Sequence, residues 1–299
     1  MNRFNSLLKF TSAVLDIKKT KHVGGFSQGD WMGKIDGKKL ISELSVPGTH
    51  NSCALYEPLY NLGKCQNYTV FDQLNMGVRF LDLRVYIEKG ELCLAHGILP
   101  QCITLRDVLT QCYAFLEIHP TESLIMSIKN ERSDSDDDIA EYLNRFINDN
   151  RDMWYTESKI PSLDECRGKI VLLKRFNTDE IDGLDGSKGW NDNASFIIEK
   201  DNFSLFIQDR YTVKAVSEKT LAVCEYLSDC KSVCRSKPQL CICFISGCLT
   251  GLPRPLTVAE GLNPFITEYA SNGKKKFMGA VLVDYTNESI CNAIINTNF

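Results

Sequence analysis

The sequence is poor in features that mark several classes of protein. Its 299 residues contain no uninterrupted apolar run of about 18 residues, the length needed to cross a membrane. No low-complexity tract is present, and 43% hydrophobic with 24% charged residues excludes intrinsic disorder. The 34 Lys and Arg residues do not outnumber the 38 Asp and Glu residues. Because a basic excess is missing, we expect no nucleic acid partner.

Cysteine is plentiful, but its spacing marks neither a disulfide framework nor a zinc site. The 13 cysteines are odd in number, so they cannot all pair within one chain. Six of them fall between Cys224 and Cys248 without the paired Cys-x-x-Cys spacing of a zinc site. We interpret them mainly as buried free thiols in a reducing compartment. A metal site and acylation of a surface thiol are the alternatives.

Residues 1–28 form an extension ahead of a predicted domain at 29–299. Its apolar residues are interrupted by Asn5, Ser6 and Lys9, which makes a poor signal-peptide core. An amphipathic helix packed on the domain is the first interpretation, and membrane-surface binding by that helix or a cleaved signal are the alternatives. The expected location is therefore cytoplasmic or peripheral on a membrane, with secretion as the alternative.

Short apolar runs alternate with amphipathic helical patterns along the domain. The clearest helix spans 104–119, where Thr104 and Asp107 resemble a capping box. The acidic run 133–138 precedes helically spaced apolar residues and predicts the first turn of another helix. The predicted strands are 78–86, 92–96, 124–129, 170–175, 204–211, 240–246 and 280–285, with a further short strand ending just before Pro47.

About eight strands alternating with helices predict parallel pairing through right-handed crossovers. The expected fold is therefore α/β, an irregular (β/α)8-type TIM barrel in a single domain. A doubly wound open sheet is the alternative.

Several predicted strands become polar where they end. Asp82 and Arg84 close one strand, and because they are two residues apart they point to the same side. Active sites of α/β barrels lie at this carboxyl-end rim. The residues placed there are His50, Asp82, Arg84, His96, Lys129, Arg175, Asp209, Tyr211 and Asp284.

Two histidines with an arginine suit the metal-free cleavage of a phosphodiester. A neutral His can take a proton from an attacking hydroxyl, and a protonated His can give one to a leaving oxygen. The Arg fork matches the charge that builds on phosphate oxygens. We interpret the two other histidines, His22 and His119, as structural.

Several ordered segments resemble the X domain of phosphatidylinositol-specific phospholipase C. Residues 45–52, SVPGTHNS, and 73–84, QLNMGVRFLDLR, resemble its first two catalytic segments. Residues 94–97, LAHG, resemble the segment with the second His. The resemblance continues through SIKNE at 127–131, GKIVLLKRF at 168–176, QDRY at 208–211 and VDY at 283–285, and so covers roughly 29–297. The layout is similar to the single-domain, metal-independent bacterial-type branch.

The resemblance implies an activity and a role for each rim residue. The reaction would cleave phosphatidylinositol, or glycosylphosphatidylinositol, to diacylglycerol and inositol 1,2-cyclic phosphate, by a monomer acting on lipid at a membrane surface. His50 would be the general base, supported by Asp284, and His96 the general acid. Arg84, with Asp82 beside it, would stabilise the phosphate. The substrate-binding residues would be Asn51, Lys129, Arg175, Asp209 and Tyr211, the last stacking on the inositol ring.

Asn51 departs from the metal-independent pattern. That branch usually has Asp there to support the acid His, whereas calcium-dependent members use Asn as a metal ligand. Arg84 and Lys129 stand where calcium-dependent members have carboxylates, and two fixed cations would repel a divalent ion. We therefore expect no metal and no cofactor. The alternatives are a calcium-dependent phospholipase C of the same fold, an inactive phosphoinositide- or glycolipid-binding module and a barrel glycerophosphodiesterase.

Overall fold

The computed structural model describes residues 28–57, 62–132, 134–232, 236–251, 254–273 and 276–299. The predicted N-terminal extension, with His22, lies outside the described residues except for its last residue, as does Cys234. The strands are β1 (Val46–Thr49), β2 (Phe80–Glu88), β3 (Glu91–His96), β4 (Leu99–Thr104), β5 (Leu124–Asn130), β6 (Trp154–Tyr155), β7 (Ile170–Arg175), β8 (Leu184–Asp185), β9 (Ser195–Glu199), β10 (Ser204–Gln208), β11 (Thr212–Val213), β12 (Gln239–Phe244), β13 (Cys248–Leu249) and β14 (Ala280–Val283). The α-helices are α1 (Val70–Asn75), α2 (Leu105–Ile118), α3 (Asp136–Asp149), α4 (Leu163–Cys166), α5 (Val216–Ser232), α6 (Pro255–Ser271) and α7 (Glu288–Asn296). None of these helices is long and apolar enough to cross a membrane.

Parallel strands follow one another in chain order around the main sheet. From β1 the pairing runs one way through β2, β5 and β7 to β8, and the other way through β14 and β12 to β10. Within the described ranges no backbone pairing joins β8 to β10, and antiparallel β9 covers the free edge of β10. One apolar cluster nevertheless contains Leu184 of β8 and Leu205 of β10. The sheet thus curls into a barrel with one seam, which confirms the predicted irregular TIM barrel.

Alternation along the strands separates the inside of the barrel from the helix-covered outside. Phe80 and Leu282 belong to the apolar cluster inside the barrel, whereas Leu81 belongs to the cluster between the sheet and the helices. Side chains two residues apart share a face of a strand. The inward direction of Phe80 and Leu282 therefore continues to Arg84 and Asp284, at the carboxyl-end rim.

Both predicted helix starts are confirmed. The hydroxyl of Thr104 accepts from the backbone N–H of Asp107, and the Asp107 carboxylate accepts from the backbone N–H of Thr104 at 3.0 Å, which completes the capping box of α2. Asp136 and its two acidic neighbours occupy the first turn of α3, with Ser135 as its N-cap. Carboxylates there lie at the positive end of the helix dipole.

Two expectations about the strands are wrong. The strand predicted at 92–96 does not join the parallel set, because β2, β3 and β4 form antiparallel hairpins. Lys89 and Gly90, with φ of 52° and 78°, supply the two left-handed residues of the β2–β3 turn. The first strand also continues through Pro47. Since β1 pairs with β2 only from Gly48 onward, the missing N–H of proline removes no ladder bond there.

A buried ion pair closes the amino-terminal end of the barrel. Arg79 precedes β2 and Glu122 precedes β5, and both side chains are fully buried, 2.8 Å apart. The guanidinium also donates to the carbonyl of Gly29 at 2.7 Å. Glu122 accepts from the backbone N–H groups of Met32 and Gly33. The pair therefore fixes the segment from residue 28 to 34 on the barrel.

Removing the charge of Glu122 should strongly destabilise the protein. We expect Glu122→Gln to lower the free energy of unfolding by about 3–5 kcal/mol, because Arg79 would remain buried without its counter-charge. The control is Glu141→Gln, which breaks the exposed ion pair with Arg145 on α3 and should cost less than about 0.5 kcal/mol. Denaturant titration measures both variants. Equal losses of unfolding free energy in the two variants would contradict a stabilising role for the buried pair of Arg79 and Glu122.

Candidate active site

The carboxyl ends of the parallel strands open into a cavity of about 580 Å³. Eight of the ten predicted site residues line it, namely His50, Arg84, His96, Lys129, Arg175, Asp209, Tyr211 and Asp284. The other two, Asn51 and Asp82, are buried beside Arg84 and are joined by a hydrogen bond from the Asn51 backbone N–H to Asp82. Strand β10 ends at Gln208, so Asp209 and Tyr211 lie in the following loop and not on the strand.

A tight turn after β1 places His50 at the cavity. The Ser52 hydroxyl donates to the carbonyl of Thr49 and accepts from the backbone N–H of Asp82, at 3.1 and 3.0 Å. Asn51, between them, has a φ of 41°, a left-handed conformation that Asn adopts more readily than most residues. The turn is thereby fixed against the neighbouring strand β2.

His50 and Asp284 form a buried pair across the ends of β1 and β14. Nδ1 of His50 lies 2.7 Å from Oδ1 of Asp284, which is 1% exposed. Beneath them, Nε2 of Gln66 donates to the carbonyls of His50 and Val283, at 2.9 and 2.8 Å, and ties the two strand ends together. With a proton on Nδ1 for Asp284, Nε2 of His50 keeps its lone pair.

Arg84 is oriented by three partners. Its NH2 group lies 2.8 Å from Nε2 of His50, its Nε lies 3.4 Å from Asp82, and its NH1 lies 3.3 Å from Glu131. Burial alone would lower the pKa of Arg84, but the two carboxylates outweigh burial and raise it. The guanidinium is therefore a permanent positive charge at the base of the cavity, directly beside the lone pair of His50.

Asp82 is the buried carboxylate that holds two cations of the site. It accepts from the backbone N–H of Asn51 at 3.1 Å, from Arg84, and from NH1 of Arg175 at 3.3 Å. Burial acts to raise the pKa of Asp82, but Arg84 and Arg175 overcome it and lower the pKa to about 2. Asp82 is therefore ionised and orients both guanidinium groups from behind the cavity.

His96, at the end of β3, faces His50 across the cavity. The ring centroids are 6.0 Å apart and the rings are nearly perpendicular. Nδ1 of His96 lies 3.0 Å from the carbonyl oxygen of Gly63, to which it donates, so Nε2 is the nitrogen available to a ligand. Burial, His50 and Arg84 lower the pKa of His96 below its usual 6.5. Protonated His96 is thus a stronger acid than an ordinary histidine.

The side chain of Asn51 does not support His96 in the described structure. The Gly63 carbonyl takes that place, and Nδ2 of Asn51 is buried without a hydrogen-bond partner among the described residues. A backbone carbonyl is neutral, so His96 lacks the carboxylate that would raise its pKa.

Glu131 lies between Arg84 and Lys129 and was not among the predicted residues. It accepts from Lys129 and from the backbone N–H of Gly97, both at 2.8 Å, as well as from Arg84. Glu131 stands two residues after Lys129, so the period-two rule that was applied to Asp82 and Arg84 could also have found it.

The opposite wall carries Trp190, also missed by the sequence analysis. The guanidinium of Arg175 lies 3.7 Å from a ring centroid of Trp190. Nε1 of Trp190 donates to Asp209 at 2.9 Å, and the hydroxyl of Tyr211 donates to Asp192 at 2.8 Å. Trp190 lies in the loop between β8 and β9, whose path no periodic pattern reveals. Together these residues form an aromatic and polar wall suited to a polyhydroxylated ring.

The charges of the site do not fit a calcium ion. Strand register places Arg84 beside Lys129, and Lys129 beside Arg175, on three adjacent strands. The carboxylates of Asp82 and Glu131 are already engaged by these cations. A divalent ion between them would meet three positive side chains and would have to displace their ion pairs.

Residues 39–176 match the family model described as phosphatidylinositol-specific phospholipase C, X domain. The matched segment contains the three sequence segments that resemble the catalytic segments of this X domain. It is 29% identical to a 1-phosphatidylinositol phosphodiesterase of Staphylococcus aureus strain Newman, over 91% of this chain and 95% of the relative. A relative of the same name from Listeria monocytogenes is 27% identical, over 90% of this chain and 84% of its own length.

A solved structure of the S. aureus phosphatidylinositol-specific phospholipase C has the same fold. It matches this chain with a TM-score of 0.82 at 26% identity, covering 91% of this chain and 98% of the other. The resemblance recognised in the sequence segments is therefore confirmed, and the likeness extends well beyond the X-domain match.

The ionised state of Glu131 should make the fold sensitive to acid. Burial raises the pKa of Glu131, but Arg84 and Lys129 outweigh it and lower the pKa to about 2. In the unfolded chain the pKa of a glutamate is near 4.3. The lower pKa in the folded protein stabilises the fold at pH values above about 4.3, and this stabilisation is lost as the pH falls toward 2. Between pH 5 and pH 2, the free energy of unfolding of the wild type should therefore fall by about 3 kcal/mol more than that of Glu131→Gln.

Urea titration at a series of pH values measures this difference. The exposed Glu141→Gln variant is the control and should follow the wild-type pH dependence. Parallel curves for Glu131→Gln and the wild type would show that Glu131 is not held ionised by its neighbours.

Proposed function

We propose that this chain is a phosphatidylinositol-specific phospholipase C that releases diacylglycerol and inositol 1,2-cyclic phosphate by metal-free acid–base catalysis. The observation that carries the proposal is the pair of histidines facing each other at 6.0 Å, with the Arg84 guanidinium at the Nε2 atom of His50. A module that only binds lipid needs no such pair. The relatives named as phosphodiesterases support the same activity.

His50 is the general base of the proposed reaction. In the described structure Arg84 donates to its Nε2 lone pair. An anionic phosphate is a stronger acceptor than a neutral imidazole, so the bound substrate draws the Arg84 fork to its oxygens and frees Nε2. Nε2 then takes the proton of the inositol 2-hydroxyl, and the imidazolium that forms is stabilised by Asp284.

His96 is the general acid. As the 2-oxygen bonds to phosphorus, the bond from phosphorus to the diacylglycerol oxygen breaks, and Nε2–H of His96 delivers the proton to that oxygen. The lowered pKa of His96 favours this transfer once the residue is protonated. Arg84 stays on the phosphate oxygens and balances the charge that builds there.

The inositol ring occupies the wall opposite the histidines. Lys129, Arg175 and Asp209 reach the cavity with donors and an acceptor for ring hydroxyls, and the exposed face of Tyr211 stacks on the ring. Asn51 is 1% exposed and does not line the cavity, so we expect no direct contact between its side chain and the ring.

The mouth of the cavity is suited to a membrane surface. Leu62 and Gly97 line it, and the adjoining Ile98, at the tip of the β3–β4 hairpin, is 87% exposed. We therefore propose that Ile98 and the neighbouring Leu62 contact lipid when the enzyme is at a membrane. The protein acts there as a peripheral enzyme, with the headgroup entering the cavity and the acyl chains remaining in the bilayer.

One assay tests the activity and its metal independence together. Purified protein is mixed with phosphatidylinositol in detergent micelles, with and without excess chelator, and early products are followed by phosphorus NMR. We expect the cyclic phosphodiester at equal rates in both samples, because Arg84 and Lys129 supply the positive charge. Phosphatidic acid as product would refute the proposal, and a loss of activity restored by calcium alone would refute metal independence.

The effects on kcat of replacing His50 and His96 should not be additive. His50→Ala and His96→Ala should each lower kcat by about 10²–10⁴-fold, and the double variant should lose little more because both act in one step. His119→Ala is the control, since His119 pairs with Asp30 at the other end of the barrel and should retain turnover. An active His50→Ala enzyme would be incompatible with this mechanism.

A positive charge at position 84 should not by itself be enough to maintain the activity. Arg84→Lys should lower kcat/KM strongly, by about 10²-fold or more, because lysine lacks the planar fork that contacts two phosphate oxygens. The control is Lys34→Arg, which makes the reverse change of side chain at a position remote from the cavity. It should leave kcat/KM unchanged. Near wild-type kinetics in Arg84→Lys would show that positive charge alone is enough.

A further inference from the structure

We propose that His50, Cys65 and Asp284 form a binding site for Zn²⁺ or a similar thiophilic divalent cation, and that occupation of this site switches the enzyme off. The inhibition rests on the proposed function, because it removes the general base. The binding itself does not rest on it.

Cys65 is a fully buried thiol that the proposed reaction does not use. Ligand atoms of His50, Cys65 and Asp284 all lie within 4.8 Å of one another. The Cys65 sulfur is also 3.7 Å from Nδ1 of His96, so it sits between the two histidines. In the described part of the chain no other group of three or more such residues meets the geometry of a metal site.

Asp284 offers a second, independent indication of a ligand. Its Oδ1 atom is paired with His50, and its buried Oδ2 atom makes no hydrogen bond to a nitrogen or oxygen donor among the described residues, so that the Cys65 thiol is the donor beside this carboxylate. A thiol is a weak hydrogen-bond donor, and a cation satisfies a buried carboxylate better.

The donor set selects a zinc-like ion and not calcium. Sulfur, imidazole nitrogen and carboxylate oxygen are the ligands of Zn²⁺, at bond lengths of about 2.0–2.3 Å. Calcium requires an all-oxygen shell. A tetrahedron with these bonds separates its ligand atoms by about 3.3–3.6 Å, so the three side chains need only small rotations, with water in the fourth position.

Binding is balanced in charge and in protons. The ion displaces the thiol proton of Cys65, which leaves to solvent, and the thiolate and Asp284 together neutralise its two charges. Burial and Asp284 raise the pKa of the free thiol, so the thiol is protonated until the metal binds.

Coordination disables the general base. The ion takes the lone pair at Nδ1 of His50, so the single proton of the neutral ring must lie on Nε2. Nε2 can then no longer accept a proton from the inositol 2-hydroxyl. Arg84, which donates to Nε2 in the metal-free protein, must also turn away. Inhibition therefore follows without any blockage of the cavity.

Cobalt titration of the full-length protein tests the binding without an activity assay. We expect one equivalent of Co²⁺ to give a thiolate-to-cobalt charge-transfer band, which Zn²⁺ abolishes by displacement. The band should be absent in Cys65→Ser and Cys65→Ala and retained in Cys102→Ser, whose thiol is exposed on β4. Two replacements are used so that a folding defect in one does not decide the result, and circular dichroism verifies each fold.

The second arm measures inhibition of phosphatidylinositol cleavage by Zn²⁺. Cys65→Ala should need at least about 10-fold more Zn²⁺ for half-inhibition than the wild type, and chelator should restore wild-type activity. A charge-transfer band that persists in both Cys65 variants, or no band in the wild type, overturns the site. Equal Zn²⁺ sensitivity overturns the switch. Without any cleavage the proposed function fails, while the cobalt band still decides the metal site.

Discussion

The geometry of the cavity depends on one buried carboxylate, Asp82. It lies on the inner face of β2, receives Arg84 from its own strand, Arg175 from β7 and the backbone of Asn51 from the turn after β1. A carboxylate with no access to water must keep such donors, because an unpaired buried charge costs several kcal/mol. Each donor is thereby held in one orientation, and the two guanidinium forks face the cavity together. A single buried charge thus fixes donors from β2, from β7 and from the turn after β1 relative to one another.

The alternation of the strands explains why a site of this kind could be predicted from sequence. Inward positions are apolar at the amino-terminal end, as at Phe80 and Leu282, and become polar at the carboxyl end, as at Arg84 and Asp284. A shift of the strand register by one residue would turn these side chains outward, among the helices. The same apolar residues that fill the barrel therefore also fix the direction of the polar ones above them. This is why the strand residues Arg84, Lys129 and Arg175 meet in one cavity, where residues that follow other strand ends join them.

Features set by tertiary contacts could not be predicted in this way. The capping box at Thr104 is local, and the sequence pattern identified it. The antiparallel β3 depends on another local feature, the two-residue turn at Lys89 and Gly90, which reverses the chain before a crossover can form and was not recognised in the sequence. Trp190 reaches the site through a loop, and Cys65 approaches Asp284 from a segment with no periodicity. Glu131 is different, because its two-residue spacing from Lys129 was available in the sequence and was not used.

Among the described residues no backbone pairing joins β8 to β10, and this seam divides the site into a half joined by strand pairing and a half joined by side chains. His50 directly follows β1 and His96 ends β3, where continuous backbone pairing fixes their spacing. Arg175 and Asp209 lie on opposite sides of the seam, with their charged atoms 3.9 Å apart and Trp190 in contact with both. The separation of the two histidines is thus set by backbone pairing, whereas the separation of Arg175 and Asp209 is set by side-chain contacts. A displacement across the seam would therefore change the distance between Arg175 and Asp209 and leave that between the histidines unaltered.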